Sequence, residues 1–289
     1  MFRPALRPVT RPAHLLAPAL LLILLLSLLG QPLHAQQDSR LQRLDTGDDS
    51  RGWEAVGRLD IDGKGFCTGA LVAEDLVLTA AHCLYDRHTG TRIDPTKIEF
   101  RAGWRNGRAE AYRNVRRAVV HPEYRYGASV STKRVQDDVA LLELEMPIRN
   151  TTVIPFETEP TARAGTRIGV VSYAHDRAEA PALQEICSVM ARQEGILILS
   201  CDVDFGSSGA PVFSIEEGKP RIVSVISAKA EVEGRPVALG MQLDAPLAAL
   251  KAELSAGKGV FLGPAPRQSR VVVGGQRNDT GAKFIRAGN

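Results

Sequence analysis

Thr79-Ala80-Ala81-His82-Cys83 is the stretch on which the reading of this chain turns. A run of small residues delivers one imidazole to a fixed place, beside a cysteine able to staple its loop. Two more segments follow in order: Asp138-Val139-Ala140-Leu141-Leu142, a lone carboxylate entering an apolar strand, and Gly206-Ser207-Ser208-Gly209-Ala210-Pro211. A base, an orienting carboxylate and a glycine-flanked serine are the three parts of an activated hydroxyl nucleophile. Each alone has a plain structural reading, and His82 by itself reads best as a buried structural histidine. The ordered set, with cysteines alongside, outweighs those readings.

The first residues are set apart from the fold. Arg3, Arg7 and Arg11 precede an apolar run at 15–29, interrupted only by Ser27, and Leu33-His34-Ala35 offers a small residue for cleavage. Residues 1–35 read as a secretory signal peptide, the run being short for a spanning helix; an uncleaved N-terminal anchor is the competing reading. Removing them leaves 254 of 289 residues and takes away three of 36 basic residues and no acid, so 33 bases face 33 acids. A neutral mature chain carries no general attraction for nucleic acid or anionic membrane. No other apolar run approaches membrane length, so stable membrane insertion after signal removal is not expected.

Export also sets the reading of Cys67, Cys83, Cys187 and Cys201. An even number in an oxidising compartment predicts two disulfides, and the spacings favour Cys67–Cys83 and Cys187–Cys201. Each would be worth about 3 kcal/mol by constraining the unfolded chain. No close Cys-x-x-Cys pair supports a zinc site.

The middle of the chain reads as short strands. Candidates are Glu54–Asp60, Phe66–Val72, Leu76–Thr79, Lys97–Arg101, Val115–His121 and Val139–Leu144, then Arg167–Ser172, Gln184–Met190, Ile196–Cys201, Pro211–Ile215 and Arg221–Ile226. Between the two groups, Glu145–Ala164 carries Pro147, Pro155 and Pro160 and reads as an exposed linker. Short strands with Gly, Pro or Asp punctuation predict barrels or sandwiches. Asp244 is placed to cap a helix over Ala245–Ser255, with Leu247, Leu250 and Leu254 on one face and Gly257 at its end. From Pro264 the tail is polar, with five basic residues against Asp279, and is expected to be mobile. No internal repeat is visible.

With these segments in place the chain resembles the chymotrypsin-like (trypsin-like) serine proteases, and more closely their bacterial secreted branch, from about Trp53 to Leu254. Phe66-Cys67-Thr68-Gly69-Ala70-Leu71 leads to the histidine segment, and His121-Pro122-Glu123-Tyr124 resembles a common approach to the aspartate. The chain order His, Asp, Ser is that of chymotrypsin. The resemblance implies an all-β fold of two packed six-stranded antiparallel β-barrels with a C-terminal helix. The division expected is 1–35 signal, 36–50 lead-in, 51–146 first barrel, 147–163 interbarrel linker, 164–256 second barrel and helix, and 257–289 tail. Ser208 would attack the scissile carbonyl, His82 would take and return its proton, and Asp138 would hold the imidazole tautomer. Backbone N–H groups of Gly206 and Ser208 would line the oxyanion hole. Asp137 and Ser207 compete for two of these places; the Asp-Val-Ala-Leu-Leu register and the Gly-x-Ser-Gly spacing favour Asp138 and Ser208, leaving Asp137 as an exposed neighbour. His88, His121 and His175 read as surface or turn residues.

The chain also departs from the family. Zymogens of the trypsin type carry an aspartate before the nucleophile, which pairs with the amine freed by activation cleavage; here that residue is Ser207. The region Arg51–Val56 shows no Ile-Val-Gly-Gly-like terminus, and the similar Arg270-Val271-Val272-Val273-Gly274-Gly275 lies beyond the catalytic set. No N-terminal insertion is therefore expected to be needed. Asp202 stands six residues before Ser208, where a basic P1 side chain would be received, but Cys201 beside it staples the wall differently and Lys229 is placed to neutralise it. Ser227 is a candidate pocket-strand residue. The expectation is an exported serine endopeptidase, periplasmic or extracellular, acting on protein or peptide substrates and needing no metal or organic cofactor. The alternatives are a non-catalytic homologue serving as a secreted binding module and a structural envelope protein with accidental motifs.

Overall fold

A computed structural model describes residues 39–260, apart from 128–130, 160–161 and 217. The expected signal peptide and the tail from residue 261 lie outside the described residues. Alternation of burial shows why the strands form. In β5 (Ile98–Ala102) Ile98, Phe100 and Ala102 are buried while Glu99 and Arg101 face outward, the period of two that one buried sheet face imposes. With β2 (Val56–Ile61), β3 (Gly65–Ala73), β4 (Leu76–Thr79), β6 (Ala111–Val120) and β7 (Ala140–Leu144) it closes a six-stranded antiparallel barrel in the order β2-β3-β4-β7-β6-β5. Closure leaves no exposed sheet edge.

The second half repeats this connectivity. Strands β8 (Arg167–Ser172), β9 (Ala182–Gln193), β10 (Ile196–Leu199), β11 (Pro211–Glu216), β12 (Lys219–Val232) and β13 (Arg235–Met241) pair in the order β9-β10-β13-β12-β11-β8, and β8 returns to β9. First pairs with second, third with sixth, and fourth with first in both barrels. The expected pair of six-stranded barrels is therefore present. A short β1 (Gln42–Arg43) adds to the outer edge of β9.

Several expectations change. The segment between the barrels is not simply exposed: Ile148, Val153, Phe156 and Ala162 are buried. Phe156 packs edge-on against Phe213 at 4.7 Å, with Trp53 at 6.1 Å. Its N–H bonds Leu71 of the first barrel, while Glu157 and Glu159 bond Ile222 of the second. The prolines mark a path that straps both barrels. Strand β13 was not expected because Pro236 and Gly240 break its pattern. Pro236 is the second residue of β13, beside the turn of the β12–β13 hairpin, at a strand end where proline is tolerated. A Cβ at Gly240 would lie 2.3 Å from Ser224 Oγ, so close backbone approach requires glycine there. A short α1 (Thr132–Asp137) was also not foreseen; Ser131 caps it by accepting the Arg134 N–H.

The C-terminal α2 (Asp244–Ser255) follows its expected register, with Leu247, Leu250 and Leu254 buried. Its N-cap is Leu243, with Asp244 inside the first turn and no side-chain cap. The three leucines join the first barrel's core, so the helix reaches back across the molecule. Arg117 donates to the carbonyls of Leu254 and Lys258, and Gly259 accepts the Ala118 N–H. Among the described residues no helix is long and apolar enough to cross a membrane.

Candidate active site

Strand pairing brings the base and the carboxylate together. β4 and β7 run antiparallel with Thr79 opposite Ala140, so the chain just after β4 and just before β7 emerge at the same point. His82 lies in the 3₁₀ turn Ala81–Leu84 that follows β4, and Asp138 caps α1 before β7. The Asp138 carboxylate, 1% exposed, accepts from both His82 Nδ1 at 2.7 Å and the His82 backbone N–H at 2.8 Å. This contact places the ring proton on Nδ1 and leaves Nε2 as the basic nitrogen. Ser227 Oγ donates to the same Oδ2 at 2.5 Å. Burial pushes the Asp138 carboxyl pKa up, but the charge and hydrogen bonds of His82, with the Ser227 hydroxyl, outweigh it and hold it below 3.8.

The Cys67–Cys83 and Cys187–Cys201 disulfides are both formed. Cys67, His82 and Cys83 cluster closely enough to suggest a metal site. The two sulfurs are bonded to one another, so no thiolate is offered and the set does not fit a metal ion. The first disulfide instead anchors the turn carrying His82 to β3.

The second barrel presents Ser208 on a tight turn docked into the first barrel. Gly209 has φ +78°, and a Cβ there would lie 2.1 Å from Thr79 Oγ1 and 2.3 Å from the Thr68 carbonyl. The turn thus packs on the end of the strand that leads to His82. Thr68, fully buried on β3, holds it: its N–H donates to the Ser208 carbonyl at 2.9 Å and its hydroxyl to the Gly206 carbonyl at 2.9 Å. Gly206 has φ +101°, and a Cβ would lie 2.4 Å from the Phe66 ring. The N–H groups of Ser207, Gly209 and Ala210 bond the carbonyls of Asp204, Ile226 and Ser207. Those of Gly206 and Ser208 have no acceptor among the described residues, the state expected of donors that await a ligand oxygen.

Other sequence candidates fall differently. Asp137 is not an exposed neighbour: its buried carboxylate meets Lys133 Nζ at 3.1 Å and His121 Nδ1 at 3.3 Å. Asp202 is exposed, and its backbone N–H bonds Gln184 Oε1. Among the described residues no ion pair joins it to exposed Lys229. Ser227 is committed to Asp138. Thr68 was not singled out from sequence, since its role lies in backbone carbonyls 138 and 140 residues away; its place beside Cys67 was the one available signal.

The family model described as Trypsin matches residues 47–238, and the chain belongs to that family of serine proteases. Human serine protease 23 is 31% identical over 165 residues, 51% of this chain and 42% of the relative. Human cathepsin G is 30% identical over 109 residues, 38% of each chain. Glutamyl endopeptidase of Bacillus licheniformis is 26% identical over 152 residues, 52% of this chain and 45% of the relative. The matches thus span less than half the length of these relatives. A solved Glu endopeptidase in complex with MPD superposes with a TM-score of 0.62 at 19% identity, covering 76% of this chain and 98% of that chain.

Proposed function

We propose that the chain is an exported serine endopeptidase of the bacterial secreted branch, with residues 1–35 removed as a signal peptide and the two barrels forming its catalytic unit. The observation that carries this is the buried carboxylate bonding the Nδ1 and the backbone N–H of His82, opposite a turn whose Gly206 and Ser208 N–H groups lack acceptors among the described residues. Ser208 Oγ attacks the scissile carbonyl as its proton passes to His82 Nε2. Asp138 stabilises the imidazolium without taking its proton. The carbonyl oxygen, negatively charged in the tetrahedral intermediate, is received by the two N–H groups. His82 then protonates the leaving amine, and a water molecule hydrolyses the acyl-enzyme by the same route in reverse.

Substrate choice follows from the charge near the turn. Cleavage after Lys or Arg is the outcome if Asp202 receives the P1 side chain. Exposed Lys229, two residues beyond Ser227, supports the opposite preference, an acidic side chain. A peptide library decides between them. The catalytic reading itself is tested with a fluorophosphonate probe on the mature protein and on Ser208→Ala. Labelling and peptide hydrolysis by the parent, both abolished in the variant, are expected. Absence of labelling in the parent would leave the non-catalytic binding homologue.

A further inference from the structure

The residue before the nucleophile is a serine, yet it is bonded as elaborately as an ion-pairing residue would be. Ser207 is fully buried. Its hydroxyl lies 3.3 Å from Arg177 Nη2, 3.3 Å from the Asp204 N–H, 3.2 Å from Ser172 Oγ and 3.3 Å from the Tyr173 carbonyl. Arg177 reaches it from the loop after β8 and is itself buried, 7% exposed. Its Nη2 also donates to Ser172 Oγ, its Nη1 to the largely exposed Asp176, and its Nε has no acceptor among the described residues. A guanidinium is charged at every working pH and only donates. The Ser207 oxygen therefore accepts from Arg177 and from the Asp204 N–H, and turns its own proton to Tyr173 or Ser172.

The bed under the turn is continuous. The His175 N–H bonds the Phe205 carbonyl at 2.8 Å, and a Cβ on Gly206 would lie 3.0 Å from Ala174 Cα. Residues 172–177 thus support 204–207 from below, while Thr68 grips the same turn from the first barrel. The chain's lead-in is held elsewhere: Ser39 bonds Ile186, and Gln42 and Arg43 pair with Leu183 and Ala182 along the outer edge of β9. A buried cation whose acidic partner stands largely in solvent adds little to stability. Its contacts instead converge on the residue between two unbonded N–H groups.

We propose that Arg177 is a positioning residue: through Ser207 it holds the Gly206–Ser208 turn in its oxyanion-receiving form, a task done from inside the chain without a freed terminus. This rests on the serine-protease reading, and the test separates the two. Arg177→Met and Ser207→Ala are compared with the parent mature protein in peptide hydrolysis, in affinity for a peptide boronic acid, and in amide exchange of residues 204–209. In both variants kcat is expected to fall, by about 100-fold in Arg177→Met, the scale of losing an oxyanion donor, with KM within twofold. Boronate affinity falls in step, and exchange speeds up in that turn alone. Added guanidinium ion restores part of the Arg177→Met loss. Folded variants with parental kcat, boronate affinity and exchange would overturn the proposal, and if Arg177→Met does not fold, Ser207→Ala alone decides. Should the parent fail to label with fluorophosphonate, the protease reading falls; exchange that is then unchanged in both variants sinks the role of Arg177, and faster exchange upholds it.

Discussion

The two barrels share one strand connectivity and contribute to the site by opposite means. The first presents side chains: strand ends at Thr79 and Ala140 lie opposite one another, and His82 and Asp138 meet across that seam with a carboxylate satisfied from three directions. The second presents backbone: a turn with two positive-φ glycines, its carbonyls tied to Thr68 and two of its N–H groups left without acceptors among the described residues. A buried charge tolerates no missing partner, so the first half is rigidly paired. On the proposed reading those N–H groups receive an incoming oxygen and must stay unpaired, so the second half is held by everything around them.

That contrast can be broken from either side. The largest effect is expected from Asp138→Asn, which keeps the shape but removes the charge that selects the His82 tautomer. A loss in kcat of about 10⁴-fold is predicted, the scale of that change in a Ser-His-Asp triad, measured as steady-state hydrolysis with KM little altered. On the backbone side, Gly206→Ala drives a methyl into Phe66 and demands a positive φ. It should lower kcat by about 10²- to 10³-fold while Ser208 still reacts slowly with fluorophosphonate, separating the donor from the nucleophile. Ser227→Ala should cost least, about 1 kcal/mol or a few-fold in kcat, because His82 still supplies two bonds to the carboxylate.

The same variant sharpens the pH behaviour. The folded Asp138 pKa lies below its ordinary 3.8, so its stabilising contribution is complete above that value and is lost as pH falls through the lowered one. Removing the Ser227 hydroxyl raises the folded pKa. Thermal melts taken from neutral to acid pH should show the decline beginning at higher pH in Ser227→Ala. Coincident acid limbs would show that Ser227 does not bear on the carboxylate.

The strands Leu76–Thr79 and Arg167–Ser172 were legible to the residue, because their apolar content and turn punctuation are local. Strand β13 was not, since Pro236 and Gly240 make sense only beside their neighbours. The segment around Phe156 read as an exposed linker because proline and threonine dominate its composition; three aromatic rings from distant parts of the chain make it structural. Asp137 read as solvent-facing, although His121 and Lys133 enclose it. Lys133 is four residues away and was within reach of a helical reading, whereas His121 needed the fold.

Sequence by itself determined the class of fold, the three ordered segments and the pairing of the cysteines, because each rests on residue type at short spacing. Tertiary structure decided what surrounds them: Ser227 on the carboxylate, Thr68 on the turn, Arg177 beneath Ser207, and a C-terminal helix locked to the opposite barrel. These contacts join backbone atoms and polar groups far apart in the chain. Residue identity carries little trace of such a bond, because any of many side chains can donate to a carbonyl, and only packing determines which one arrives.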